Sequence, residues 1–196
     1  TEHYKHPLKD LKLQVPIKDI MSQLMSAVVF MQEKNVVHLD IAPENVFLIK
    51  KDSGIVVKLT NFEYALKMHS EKVRVDSFNS KSSESGFTPH EALSHKYAYK
   101  HSDCWSLGRV LTHLMTSKGC MKEVPRKGKK LQDPYSVDIN KMIKNNSNNN
   151  ILCKDLLLKL LVIDCNLRIK AKEAMKHPFF WSAQETVYFI VEIAIM

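Results

Sequence analysis

One stretch limits what this chain can fold into more than any other: Val36-Val37-His38-Leu39-Asp40-Ile41-Ala42-Pro43-Glu44-Asn45-Val46-Phe47-Leu48. Before it, Ile17, Ile20, Met21, Leu24, Met25, Val28, Val29 and Met31 recur at three- and four-residue steps. That period predicts an amphipathic helix with Pro16 in its first turn, ending near Lys34-Asn35. After it, the runs Val46-Phe47-Leu48-Ile49 and Ile55-Val56-Val57-Lys58-Leu59 flank Lys50-Lys51-Asp52-Ser53-Gly54, which predicts a hairpin. A tight loop between a buried helix and a short hairpin suits a catalytic carboxylate. Asp40 has that place, and Asn45, five positions on, can reach a metal from the same side. The returning hairpin strand delivers Asn61 beside them, as a phosphate-and-metal site requires.

Size and composition bound the rest. At 196 residues the chain can bury one core, and no shift of composition separates two domains. Hydrophobic residues make up 44% and charged residues 26%, which excludes wholesale disorder. The most apolar run, residues 187–196, is interrupted by Glu192 and falls short of the ~20 residues of a membrane helix, so no membrane span is expected in this segment. The first residues carry no signal-peptide pattern, and Thr1 in place of Met predicts a chain cut from something longer. Cys104, Cys120, Cys153 and Cys165 show no C-x-x-C spacing. They predict reduced thiols and a cytoplasmic location, or the cytosolic face of a membrane for a longer chain. The formal charge of +8 is spread mostly as single lysines; its dense cluster, residues 122–130 with Arg126, reads as a solvated loop, and no DNA partner is expected.

Elsewhere the text is less uniform. Residues 1–15 read as a polar, irregular segment with a weak helical hint around Leu8, Leu11 and Leu13. Residues 64–85 are rich in Ser and Lys, lack a period and predict a long mobile loop. Residues 102–115 predict a central buried helix, apolar nearly all round, with Ser102 as its cap. A basic loop over 116–133, a helix over 135–143 and an Asn/Ser connector over 145–150 follow. Leu152, Leu156, Leu157, Leu160 and Leu161 then mark a buried helix over 151–163, and a short helix over 170–176 is stopped by His177-Pro178.

In order and spacing these landmarks resemble the protein-kinase family from about Pro16 to Trp181. His38-x-Asp40 with Asn45 matches the catalytic loop H-x-D-x-x-x-x-N, and Asn61-Phe62-Glu63 falls where that family carries D-F-G. Glu91 aligns with the Glu of A-P-E, although Pro89 and His90 depart from its Ala-Pro pair. Asp103-x-Trp105-Ser106-x-Gly108, Arg168 and His177-Pro178-Phe179-Phe180 complete the series. The resemblance implies a mainly α, protein-kinase-like C-lobe: a helical bundle with a short β-hairpin. The sequence has neither a Gly-rich loop nor a V-A-I-K-like lysine strand, so the N-lobe is expected to be absent and the chain to supply half of an ATP site. The expected organisation is an irregular segment over 1–15, the lobe over 16–181 and a C-terminal helix over 182–196. Trp181-Ser182 followed by a new helix looks like the kinase-to-nuclease junction of the inositol-requiring ER-stress kinase/ribonuclease and RNase L group. That helix would then open a truncated ribonuclease domain.

The implied cofactors are ATP and Mg2+. Asp40 is the implied base and Asn45 a neutral ligand for the metal and cofactor. Asn61 takes the place of the Asp that holds magnesium, and an amide brings no charge to offset a hard cation, so metal binding should be weak. Ala42 stands where Ser/Thr kinases carry a lysine, and Glu44 where tyrosine kinases supply an arginine. Leu39 replaces the usual Arg, which deprives a phosphate on the following segment of its partner. Glu63 replaces a Gly and adds negative charge. His38 and Asp103 are implied structural residues, with Asp103 accepting backbone N–H groups of the loop. Glu91 and Arg168 are implied to form a buried ion pair.

The function expected is that of a pseudokinase lobe used as a binding or regulatory module, with a protein partner or a second copy of the chain. One alternative is an active Ser/Thr protein kinase whose N-lobe is missing from this chain. The other is the kinase part of a kinase/endoribonuclease of the unfolded-protein or antiviral response, with RNA as a partner only if a nuclease domain follows. The apolar residues Tyr188 to Val191 are expected to pack on the lobe or on a partner.

Overall fold

A computed structural model describes residues 3–8, 15–75, 86–116 and 151–195. The elements expected over 117–150, with Cys120 and the lysine cluster, lie outside the described residues, as do Leu11, Leu13 and residues 76–85. The order is β1 (His3–Pro7), α1 (Ile17–Glu33), β2 (Val36–Val37), a 3₁₀ turn (Pro43–Asn45), β3 (Val46–Lys51), β4 (Gly54–Leu59), β5 (Leu66–Lys67) and β6 (Lys72–Arg74). Then come α2 (His90–Ser94), β7 (Tyr97–Tyr99), α3 (Ser102–Thr116), α4 (Ile151–Leu160), α5 (Ala171–Ala174), a 3₁₀ turn (Pro178–Phe180) and α6 (Ala183–Ile195). The protein is helical with small antiparallel sheets.

The main core forms where the stripe of α1 meets α3 and α4. Ile20, Met21, Leu24, Met25 and Val28 of α1 are buried with Leu107, Val110 and Leu111 of α3 and Leu156, Leu157 and Leu160 of α4. The hairpin β3–β4 packs on the same core through Val46 and Leu48 and is tied to α1 by the Gln23 side chain. Gln23 Nε2 donates to the Ile55 carbonyl at 3.1 Å, and the Val57 amide donates to Gln23 Oε1 at 2.9 Å. A second cluster unites Val37, Leu39, Met68, Val75 and Ala98, with Tyr64, Leu66, Val73 and Leu93 against it.

Several sequence expectations need correction. Residues 1–15 are not irregular throughout: β1 pairs antiparallel with β3, placing His6 opposite Leu48 and Pro7 opposite Phe47, and Leu8 is buried. The strand exists because β3 offers an edge for its backbone groups, so no local pattern announces it. Residues 64–75 are likewise structured, as β5 pairs with β2 and β6 with β7. The hairpin strands run further than expected, leaving Asp52 and Ser53 as the turn, and Gly54 takes φ +121°, open to glycine. Helix α4 stops at Leu160 and α5 covers only Ala171–Ala174.

Helix α6 is exposed along its length among the described residues. It is fixed at its root by a capping box, with the Glu185 amide donating to Ser182 Oγ at 3.1 Å and the Ser182 amide to Glu185 Oε2 at 2.6 Å. The Phe189 ring meets Trp181 edge-on at 4.9 Å, and the Lys18 ammonium bonds the Trp181 carbonyl. No helix among the described residues is long and apolar enough to cross a membrane.

Gly108 of α3 lies against the C-terminal end of α4 and the residue after it: an added Cβ would lie 2.8 Å from Leu161 Cδ2 and 3.0 Å from Leu160 Cβ. Gly108→Ala is therefore expected to lower stability by about 1–3 kcal/mol through overpacking, despite alanine's better helix propensity. Urea unfolding of the two forms checks this, with a lowered midpoint as the expected result.

Candidate functional site

The loop after β2 is held from below by one carboxylate. Asp103, in the first turn of α3 and fully buried, accepts the His38 amide at 2.7 Å and the Leu39 amide at 2.8 Å. Burial drives its pKa upward, against the opposing pull of those two amides and of the His38 ring. His38 uses both ring nitrogens in a single tautomer. Nδ1 accepts the Asp40 amide at 3.2 Å, and Nε2 donates to the Thr60 carbonyl at 3.0 Å. The Phe62 ring stands edge-on to this imidazole at 4.7 Å.

Asp40, Asn45 and Asn61 meet in one hydrogen-bonded triangle. Asn45 Nδ2 donates to the Asp40 backbone oxygen and to Asp40 Oδ2, each at 2.8 Å. Asn61 Nδ2 lies 3.3 Å from both Asp40 Oδ2 and Asn45 Oδ1. Thr60 closes the arrangement, its amide and hydroxyl donating to the Asn45 carbonyl at 2.9 and 3.1 Å. Asn61 adopts φ +60° and Leu39 φ +65°, left-handed conformations that only the surrounding bonds and packing sustain. Ala42 is buried, whereas Glu44 and Glu63 are exposed.

The donor set does not fit a magnesium ion. Such an ion takes hard oxygen ligands with negative charge; here a single carboxylate is already met by two amide N–H groups. Among the described residues, no group of three His, Cys, Asp or Glu side chains could hold a metal. Leu39 is fully buried in the second cluster.

A second polar centre lies under α2. Arg168 Nη1 and Nη2 donate to Glu91 Oε1 and Oε2 at 2.7 and 2.9 Å, and both residues are 3% exposed. The guanidinium also lies 5.3 Å from the centre of the Trp105 ring, and its Nε donates to the Val162 carbonyl at 3.1 Å. Ser102 is not the simple cap expected for α3: its hydroxyl donates to Glu91 Oε1 at 2.6 Å and accepts the Tyr99 amide at 2.9 Å. Burial opposes the Glu91 anion, yet the Arg168 and Ser102 bonds hold its pKa below the usual value. Sequence reasoning missed Arg109, whose Nε donates to the Gly86 carbonyl at 2.8 Å. A lone cation inside an apolar helix was its signal, since such a charge survives burial only with a partner.

Removing one partner of this pair leaves the other charge buried alone. Arg168→Met is expected to destabilise by about 3–5 kcal/mol, with a smaller loss when Glu91→Gln accompanies it, as a double-mutant cycle in urea would measure. Two half-buried histidines border the pair. His90 Nδ1 and His101 Nε2 are buried without a hydrogen-bond partner among the described residues, and burial lowers both pKa values, helped by His95 for His90 and by Arg168 for both. The unfolded chain therefore binds these protons first, so stability should fall as pH drops below about 6.5. Calorimetric melting from neutral to mildly acidic pH should show this loss, ahead of the lower window set by Glu91, and His90→Gln with His101→Gln should flatten it.

The profile of the protein kinase domain matches residues 6–180. The chain is 28% identical over 176 residues to the serine/threonine-protein kinase/endoribonuclease IRE1a of Arabidopsis thaliana, covering 87% of this chain and 20% of that protein. It is 27% identical over 180 residues to the probable serine/threonine-protein kinase irlB of Dictyostelium discoideum, covering 89% of this chain and 12% of that one. A third similarity is to the phosphorylase b kinase gamma catalytic chain, liver/testis isoform, of Rattus norvegicus: 27% over 173 residues, 83% of this chain and 40% of that protein. The chain spans a fifth or less of the length of the first two relatives. With a family match over most of its length and the loop of His38, Asp40 and Asn45 seated on Asp103, this chain belongs to the protein kinase domain family.

Proposed function

We propose that this chain is the helical C-lobe of a kinase domain that serves as a binding or regulatory module rather than transferring phosphate. The observation that carries this reading is the Asp40 carboxylate capped by the amides of Asn45 and Asn61. Phosphoryl transfer depends on positioning and on neutralising charge. Around Asp40 the family positions hold Ala42, Glu44 and Asn61: none is a cation, Asn61 is a neutral amide, and the Glu44 carboxylate is exposed and adds negative charge. No step of phosphoryl transfer is assigned to them. Asp40 and Asn45 are instead engaged with each other and with Asn61.

The lobe reading takes residues 16–181 as one unit, with 1–15 contributing an edge strand and 182–196 a helix. It is supported by a sequence without a Gly-rich loop or a V-A-I-K-like strand. Leu39, inside the second cluster, would hold the segment after Asn61 by apolar packing, without a phosphate. Cys104, Cys153 and Cys165 are buried thiols outside any disulfide, which favours a reducing, cytosolic compartment. A second reading, the kinase part of a kinase/endoribonuclease, is favoured by Trp181-Ser182 leading into α6 and by the similarity to the Arabidopsis kinase/endoribonuclease.

Radiolabelled phosphate transfer and thermal shift together test the first reading. A ligand at ~100 times its dissociation constant adds about 2.7 kcal/mol, so ATP with Mg2+ should give no such shift and no transfer. Asn61→Asp should introduce a Mg2+-dependent shift. Transfer by the full-length protein that Asp40→Asn abolishes would replace the module with an enzyme.

A further inference from the structure

We propose that the cleft between the end of α1 and the hairpin binds a straight-chain alkyl carboxylate; this names the ligand class of the binding module and rests on that reading. Ala27, Phe30 and Met31 of α1 line the cleft, with Lys34 just beyond the helix, and Val36 of β2, Leu59 of β4 and Phe62 complete it. Lys58 borders it from β4. The space they enclose is about 440 Å3. That lies within the ~300–1,000 Å3 usual for small-molecule sites.

The α1 residues at the cleft stand at positions i, i+3, i+4 and i+7, a single stripe along the helix. The Lys34 amide still donates to the Phe30 and Met31 carbonyls at 3.2 and 3.0 Å, so the stripe keeps helical spacing to its end. From Ala27 to Lys34 it runs about 10 Å, which suits an elongated ligand. Met31 is buried in the main core and Val36 and Leu59 pack against it, so this part of the lining is set before a ligand arrives. Phe30 and Phe62 are 60% and 53% exposed and leave apolar area for a ligand to cover.

Among the described residues, the side chains lining the cleft offer no hydrogen-bonding group except two lysine ammoniums. A nucleotide, a sugar or a peptide main chain would leave polar groups unpaired there. An alkyl chain has none to leave. Charge lies at one end of the stripe. The Lys34 ammonium stands 5.7 Å from the centre of the Phe30 ring, which holds it at the rim. Glu33 and Glu63, next in sequence to Lys34 and Phe62, do not line the cleft. A carboxylate at the head of the chain would meet the Lys34 cation while the alkyl tail follows the stripe toward Ala27. Phe62 joins the cleft to the loop of Asp40, since its ring also stands edge-on to His38 at 4.7 Å.

Isothermal titration calorimetry of the full chain with octanoate, decanoate, decanol and decyltrimethylammonium, each below its micelle concentration, tests the proposal. Decanoate should bind at one site, about tenfold tighter than octanoate for its longer chain. It should also bind tighter than decanol or decyltrimethylammonium. Phe30→Ser should weaken decanoate binding by about tenfold. Lys34→Met should weaken it about threefold and leave decanol binding unchanged. Both residues are exposed, so the melting temperatures should hold. Tyr188→Ser with Ile190→Ser, on exposed α6, should leave decanoate binding unchanged. No saturable binding, equal affinity for the carboxylate and the ammonium, or a loss from the α6 changes in place of the Phe30 change overturns the proposal. Phosphate transfer by the unaltered protein would sink the module reading while leaving carboxylate binding intact; absent carboxylate binding without transfer would sink the cleft alone.

Discussion

Asp103 takes the amide protons of His38 and Leu39 with a carboxylate removed from water, and this grip decides where the loop bearing Asp40 sits on helix α3. Burying a carboxylate without such partners would be prohibitive, so the loop and the helix are placed together or not at all. The left-handed backbone of Leu39 follows from the same contact. Strain of about 1–3 kcal/mol at a non-glycine residue is offset by an amide bond to Asp103. The burial of the Leu39 side chain in the second cluster adds about 1.5–3 kcal/mol.

From that point the fold divides its labour. The larger cluster joins α1, α3 and α4 and carries the hairpin, which Gln23 ties to α1. The smaller one gathers β2, β5, β6 and β7 around Leu39. Between them the chain from Gly86 to Arg168 is cross-linked by polar bonds: Arg109 to Gly86, Ser102 to Tyr99 and Glu91, and Glu91 to Arg168 over Trp105. Each buried charge in this group is met by an opposite charge or a backbone group, as low-dielectric surroundings demand.

Much of this was legible in the sequence wherever the determinant was local. Helix α1 declared itself by period, the hairpin by two β-branched runs about a Gly-ended turn, and the meeting of Asp40, Asn45 and Asn61 by spacing across that hairpin. What escaped was non-local. Strand β1 has no alternation and borrows its partner from about forty residues on, and β6 pairs with residues beyond an intervening helix. Ser102 looked like a helix cap because short hydroxyl residues favour that place; its bonds go instead to Tyr99 and Glu91. The direction of the two amides at Asp40, nitrogen toward the carboxylate, is likewise a property of the assembled site.

Helix α6 has a bearing on how the protein behaves in bulk. Thirteen residues make a rod about 20 Å long, with Tyr188, Ile190 and Ile193 each more than half uncovered. Mutual repulsion among molecules carrying +8 keeps such rods apart in dilute electrolyte. Added salt removes that repulsion and strengthens apolar contact at the same time, so the chain's colloidal stability should be greatest in buffers of low conductivity.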